Sequence, residues 1–589
     1  MEEVVIPNDA KYDVATYNLL VNGKEVDPSY KLLSLSVMKE VNRVPMAKII
    51  IRDGDASKQN FEISNKDDFI PGNKIQINIG RDSKNATAFK GIITKHSVKV
   101  KANGHSQLLL ECQDETVRMT IGRHSHYFEK VTDSQVFDEL AKKYSIKTAS
   151  ADTKLKHKEL VQHHISDWDF LILRAEANGM LVFVEDGLIK IAKPAIQNKE
   201  ALQVNYGSSV LEFESEIDAC LQLTEVKTTS WDYTNQKLFN ADSSSSPVAE
   251  PGNIKGSDIA SKAGFKPYEM HHSGFKTEQE LQDWADGIMV RSRLSKIRGR
   301  ARFTGFSAIK PGDTVKLSGV GDRFNGKAYV TAVRNDLGNG TWETQLQFGL
   351  DPERYAFRHQ DMDDAPSAGL VGSIQGLQIG VVVQLQNDPD GQHRILVKVP
   401  VIDNKAKGIW TRVASLDAGN NRGAFFMPEI GDEVIVGFIN ADPRDAVMLG
   451  MLHSSAKPSP IKEQDANNEK GFTTRSKMHI SFNDSTKTIT IDTPAGNSIV
   501  LDEKSKDLVI TDQNKNKITM NPTGIKMESS KNIDIKAGGI LTLGAGISLA
   551  ISGPALSIKA DANVNIEGAT AKLNAQGPLV INGLPVKIN

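Results

Sequence analysis

From Lys531 to Asn589 the apolar residues of this chain recur at a short, nearly fixed interval. Ile533 and Ile535, Leu541 and Leu543, Leu549 and Ile551, Leu556 and Ile558, and Val564 and Ile566 fall as pairs two residues apart, which is strand spacing. Small-residue steps such as Ala537-Gly538-Gly539, Gly544-Ala545-Gly546 and Ser552-Gly553-Pro554 follow the pairs, so the chain runs straight and then bends. A short repeat means stacked units. One octad is too short for a coil of a single-chain β-helix, whose three six-residue faces need roughly 18 residues. Three chains close the structure more easily. Each supplies one face per layer, the ten Ile, Leu and Val side chains point to a common axis, and no sheet edge is exposed. The competing arrangement, three successive octads of one chain forming one coil, stays open at this point.

The stretch from Ala537 to Ile558 holds 22 residues without a charge. It is not read as a membrane span, because five glycines, Pro554, a period of two and the lack of flanking aromatics all oppose a transmembrane helix. A needle is the expectation. Its strand pattern continues through Gly577-Pro578-Leu579-Val580-Ile581-Asn582 to Leu584-Pro585-Val586-Lys587-Ile588-Asn589, where the chain ends within the needle.

With 589 residues, 39% of them hydrophobic and 24% charged, the chain has the composition of a multi-domain globular protein. A net charge of −2 gives no electrostatic case for nucleic acid. Cys112 and Cys220 are the only cysteines, so neither a disulfide framework nor a cysteine zinc site is supported. Met1-Glu2-Glu3 opens the chain without an apolar signal core, so synthesis in the cytoplasm and release by a route other than a cleaved signal is the expectation.

Residues 1–120 read as short strands, among them Tyr17 to Val21, Ala47 to Ile51 and Ile75 to Ile79. A distant echo is more telling. Pro71-Gly72 feeds the strand Asn73 to Ile77 and leads to Phe89-Lys90-Gly91, and Pro311-Gly312-Asp313 feeds Thr314 to Leu317 and leads to Phe324-Asn325-Gly326. Two similar small barrels are implied, one in residues 1–120 and one in 201–370. Three copies of two similar units would make six around one axis, a match between threefold and sixfold symmetry. Between the barrels, residues 121–200 read as a helical α/β insert. Capping patterns at Thr132–Gln135 and Ser166–Asp169 open its helices, and a third helix starts at Thr277 with Glu280. The Ser-rich, Pro-rich residues 241–260 are expected to form a mobile loop.

Residues 371–460 show the closely spaced strands of an OB-type barrel, and 461–589 the linker and needle. Gly380-Val381-Val382 with Asp388-Pro389, Trp410 to Val413, the run Phe426, Pro428, Gly431, Asp432, Glu433, Val434, then Asp442-Pro443 and Leu449-Gly450, resemble the VgrG family, the spike proteins of contractile injection machines. Gln162 to Leu171 also resembles the hub motif that leads into a helix in that family.

The resemblance implies a mainly β chain with a smaller α/β part: two hub barrels, an OB barrel and a triple-stranded β-helix made by three chains. It also implies a role. A homotrimer caps a hexameric inner tube, contacts baseplate components at the hub, and pierces an envelope when a sheath contracts. A PAAR-type tip protein sits on Leu584, Pro585, Val586, Lys587, Ile588 and Asn589, and effector cargo travels with the spike or in the tube. No nucleic-acid partner and no cofactor is implied.

Chemistry is sparsely signalled. His124 and His126 share a strand face but lack an adjacent third ligand, and Asp432-Glu433 follows a turn instead of lining a cleft. No catalytic motif is present, and the 26 residues from His453 to Met478 are too few for an inserted domain, so the chain is expected to be a bare, non-enzymatic spike. The alternatives are a trimeric tail-fibre-like adhesin binding surface glycans and a β-helical polysaccharide-degrading enzyme. The needle from Lys531 onward has no Phe, Trp or Tyr for the first, and for the second only Asp534, Asp561 and Glu567, spaced far apart.

Overall fold

A computed structural model describes residues 14–102 and 105–588. The chain falls into two units: residues up to 430 together with 435–449, and residues 431–434 together with 450 onward. β-structure predominates in both. No helix among the described residues is long and apolar enough to cross a membrane.

The first unit is organised by a 13-stranded sheet. Its path runs from Val210–Ile217 through Ile297–Thr304, Thr341–Phe348 and Gly326–Gly338 to Leu32–Glu40, then through Met46–Arg52, Gln107–Gln113, Lys84–Lys99 and Lys74–Arg81 to Ala15–Val21 and Lys24–Glu25. Strand Leu202–Asn205 joins through Thr314–Ser318, which pairs with Gly326–Gly338. The two expected barrels are therefore not independent. The 13-residue strand Gly326–Gly338 is long enough to serve both halves, and its far end pairs with Leu32–Glu40, placing Leu337 opposite Leu35. Leu337 and Trp342 accordingly pack into the first core with Ile49, Ile77, Phe89 and Leu110, although they lie over 200 residues downstream. Phe303, Val315, Val330, Leu346 and Phe348 centre the second core.

The insert forms its helices where the caps are. Thr132 and Gln135 make a reciprocal capping box at helix Asp133–Lys142, Ser166 accepts the Asp169 amide at 3.0 Å at helix Asp167–Ala177, and Thr277 with Glu280 boxes helix Glu278–Leu294. Each satisfies backbone donors that the first helical turn leaves unpaired.

The segment 241–260, expected to form a mobile loop, is irregular from residue 244 to 255. Strand Lys237–Ser243 and helix Gly256–Ala263 occupy its ends, and the part between is tied down. Lys296, almost fully buried, donates to the carbonyls of Pro251 at 2.6 Å and Ile254 at 2.7 Å and pairs with Glu250 at 3.0 Å. A polar segment read as unstructured is held by a cation from a distant helix end, a contact that composition does not reveal.

Strands Gln378–Gln384, Ile395–Lys398, Ile409–Val413, Ala446–Met451 and Glu433–Phe438 close a five-stranded barrel in that order. Its two Asp-Pro turns are built alike. Asp388 accepts Arg394 Nη2 at 2.6 Å and the Gln392 amide at 2.8 Å, and Asp442 accepts Arg444 Nη2 at 2.6 Å and the Arg444 amide at 2.9 Å.

The second unit contains a seven-stranded antiparallel meander: Glu469–Thr473, His479–Asn483, Thr488–Asp492, Ser498–Asp502, Asp507–Thr511, Lys517–Asn521 and Gly524–Glu528. This sheet lies within residues 461–589, where linker and needle are expected. Residues 530–588 carry no paired strand and bend at 538–539, 546–547, 554, 561–562, 569 and 576–577. The bends pass Leu573 without losing their interval.

Candidate functional site

The paired hub turns are the same structure twice. Gly72 (φ +102°) donates its amide to Ile93 O at 2.8 Å, and Gly312 (φ +94°) donates to Val330 O at 2.8 Å. The return bonds match as well, Ile93 N to Asn73 O at 3.0 Å and Val330 N to Asp313 O at 2.9 Å. Pro71 and Pro311 precede glycines at the positive φ that a type II turn requires at its third position.

The motif residues of the barrel divide by role. Pro428 and Val434 are buried, Gly431 turns at φ +86°, and Asp432 takes Lys457 Nζ at 2.8 Å while the Gly431 carbonyl takes it at 2.6 Å. Glu433 contributes its carbonyl to the Leu452 amide at 3.0 Å. Phe426 is exposed, as are Phe425 and Leu416. His126 lies 3.4 Å from Glu139 and edge-on to Phe128, and the described residues contain no cluster of three or more metal-ligating side chains. In the hub motif, the buried Gln162 donates to Asp167 Oδ1 at 2.6 Å and Tyr144 OH to Asp167 Oδ2 at 3.0 Å, which fixes the entry to helix Asp167–Ala177.

An exposed apolar face lies in the second unit. Cross-strand register sets Phe472, Ile480, Ile491, Ile499, Ile510, Ile518 and Met527 in one row across the meander, and Phe482, Ile489, Leu501, Leu508, Met520 and Ile525 in a second row on the same face. Ser481, Thr490, Thr519 and Lys526 stand on the opposite face with Val500 and Val509. The apolar-x-apolar pattern of the rows continues in sequence into the octads. The pairs 518/520 and 525/527 lead into Ile533/Ile535, and the ten needle residues from Ile533 to Ile566 each keep 51–76% of their surface exposed. No coil of one chain covers them. The sequence reading missed the meander rows, although the same apolar-x-apolar pairs begin at Ile480.

What changes near residue 524 is the connection. Lys487, Gly496, Lys506, Lys515 and Gly524 have positive φ in the hairpin turns, and no described residue beyond Gly524 does. Reversing a strand in a tight hairpin calls for such residues, so the chain pairs with itself up to Glu528 and steps forward without pairing afterwards. At the end of the chain, Leu584 and Ile588 are almost wholly exposed and Val586 about half, while Asn589 lies outside the described residues.

The Alg8 N-terminal domain family matches residues 11–339, more than half of the chain, and the type VI secretion system/phage-baseplate injector OB domain matches 378–453. The chain is 24% identical over 214 residues to the type VI secretion system spike protein VgrG1b of Pseudomonas aeruginosa, covering 34% of this chain and 28% of that protein. To the spike protein VgrG3 of Vibrio cholerae it is 25% identical over 183 residues, covering 30% and 17%. The chain thus spans less than a third of the length of these relatives. A 43 kDa tail protein of prophage MuSo2 from Shewanella oneidensis aligns at 11% identity and a TM-score of 0.43, over 57% of this chain and 98% of that one, a likeness too loose to carry an argument. The chain belongs to the Alg8 N-terminal domain family and is a VgrG-like protein with an injector OB barrel.

Proposed function

We propose that three copies of this chain form the hub and spike of a contractile injection machine. The observation that carries the proposal is the apolar face of the meander, followed by the apolar pairs from Ile533 to Ile566, all left open to solvent in a single chain. Burying an Ile or Leu contributes about 1.5–3 kcal/mol, and rows of this length repay the ordering of three chains. Three copies set face to face also remove every free strand edge, which suits a body that has to pierce without fraying.

In this reading the hub lobes, alike at Gly72 and Gly312, present six similar units to a hexameric inner tube and touch baseplate components. The last residues, Leu584 to Ile588 with Asn589, seat a PAAR-type tip protein. The spike has no catalysis of its own, and toxic activity belongs to cargo bound to it or carried in the tube. It is made in the cytoplasm and ejected on sheath contraction. Similarity to the type VI secretion system spike proteins VgrG1b and VgrG3 supports the assignment.

The test is the mass in solution by light scattering, with and without residues 461–589. A trimer that falls to monomer on truncation supports the spike. A monomer at full length overturns it and favours the adhesin or the single-chain enzyme.

A further inference from the structure

We propose that a cavity of about 210 Å³ in the hub, beside helices Asp167–Ala177 and Glu278–Leu294, binds the apolar C-terminal residue of a polypeptide, with the terminal carboxylate on Arg354. Leu155, Leu173, Leu281 and Trp284 supply an apolar lining, and the volume suits one large side chain.

The charges lining the cavity are unevenly committed. Every carboxylate already has a partner. Asp133 accepts Arg174 Nε at 2.6 Å, His157 at 2.9 Å and Asn178 at 2.9 Å. Glu176 takes Arg291 and, at 2.9 Å, the Tyr355 amide. Glu280 caps Thr277, and Asp283 pairs with Lys193 at 3.2 Å. The cations are left over. Among the described residues, neither the Arg354 guanidinium nor the Lys276 ammonium has a hydrogen-bond acceptor or a close ion pair, Glu176 acting on Arg354 through its charge alone, and His272 uses Nδ1 on Gly274.

Arg354 is also held for planar recognition. Its guanidinium lies 5.7 Å from the Trp284 ring centroid and 4.6 Å from that of Phe357. Aromatic rings engage the face of a guanidinium and leave its in-plane N–H fork for an acceptor, and a carboxylate matches that fork with two parallel hydrogen bonds. Glu176 directs its oxygens to Arg291, the Tyr355 amide and Asn42, and reaches Arg354 only through its charge.

The test is calorimetric titration of the full-length protein with N-acetyl-phenylalanine and with its amide. The acid is expected to bind in the millimolar range or tighter, and the amide and the Arg354→Gln variant to bind roughly tenfold more weakly, with the melting temperature of the variant unchanged. Equal binding of acid and amide, an unaffected Arg354→Gln, or no heat from the acid at millimolar concentration overturns the proposal. If Arg354→Gln fails to fold, Lys276→Gln decides: weakened binding of the acid alone supports the site, and unchanged binding overturns it.

Discussion

The Gly312 amide donates to the Val330 carbonyl at 2.8 Å, and the Val330 amide donates back to Asp313 at 2.9 Å. The first lobe repeats this clasp between Gly72 and Ile93, but the two glycines differ in their surroundings. A Cβ at Gly312 would come within 2.8 Å of Phe183 Cε1, whereas at Gly72 it would meet nothing within 4 Å. Both Gly→Ala changes therefore cost about 1–2 kcal/mol for the positive φ, and Gly312→Ala costs about 1–3 kcal/mol more from overpacking. Urea unfolding of the two variants reads the difference, and equal losses would refute it.

Asp133 is 1% exposed and receives Arg174 through two nitrogens. Burial alone would raise its pKa, but the hydrogen bonds from His157 and Arg174 and the Arg174 charge hold the carboxyl well below the usual carboxylate range. The stabilisation is present above the unfolded value of about 3.9 and is lost as pH falls through the lower folded value. Asp133→Asn should cost about 3–5 kcal/mol at neutral pH by leaving Arg174 uncompensated, and its stability should fall less steeply than wild type in acid. Parallel acid slopes in urea melts would contradict this.

Burial pushes the Cys112 thiol up to about 12, with Glu111 adding to it, while Cys220 is exposed. A thiol reagent at pH 8 should modify one cysteine in the native protein and two in denaturant. Cys220→Ser should abolish the native reaction, and a persistent fast phase would show that the first core opens.

Leu541 is 51% exposed in the single chain, so Leu541→Asp, like Leu549→Asp, should barely alter an isolated chain. Within a closed trimer either change buries unpaired charge at the axis and should prevent assembly or fray the needle. Light scattering and melting distinguish these outcomes. A normal trimer with unchanged melting would exclude the axial placement.

Deleting Leu584 to Asn589 should leave the trimer intact and weaken binding of a PAAR-type tip protein, as read by co-purification. Undiminished binding would move the tip site elsewhere.

Much of the architecture was legible locally. Thr132, Ser166 and Thr277 announced their helices because a cap is a contact between near neighbours in sequence. The Phe426 to Val434 run marked the barrel for the same reason, since it spans one turn and one strand entry. The continuous hub sheet was not legible. It depends on Gly326–Gly338 reaching Leu32–Glu40 across almost three hundred residues, a pairing that no local pattern encodes. Nor was the anchoring of the 241–260 segment, in which the buried Lys296, Arg293 and Arg323 and the Asn325 carbonyl all take part.

The needle shows the division most directly. Alternation of apolar residues from Ile533 to Ile566 pointed by itself to an extended chain with one apolar face, because a strand turns successive side chains to opposite sides, and the same alternation, beginning at Ile480, is that of the paired meander strands. Only the tertiary structure decided which strands pair within the chain. Up to Gly524 the backbone reverses through residues at positive φ and each strand lies against its predecessor; beyond it the chain bends forward, and its apolar face stays uncovered in the single chain.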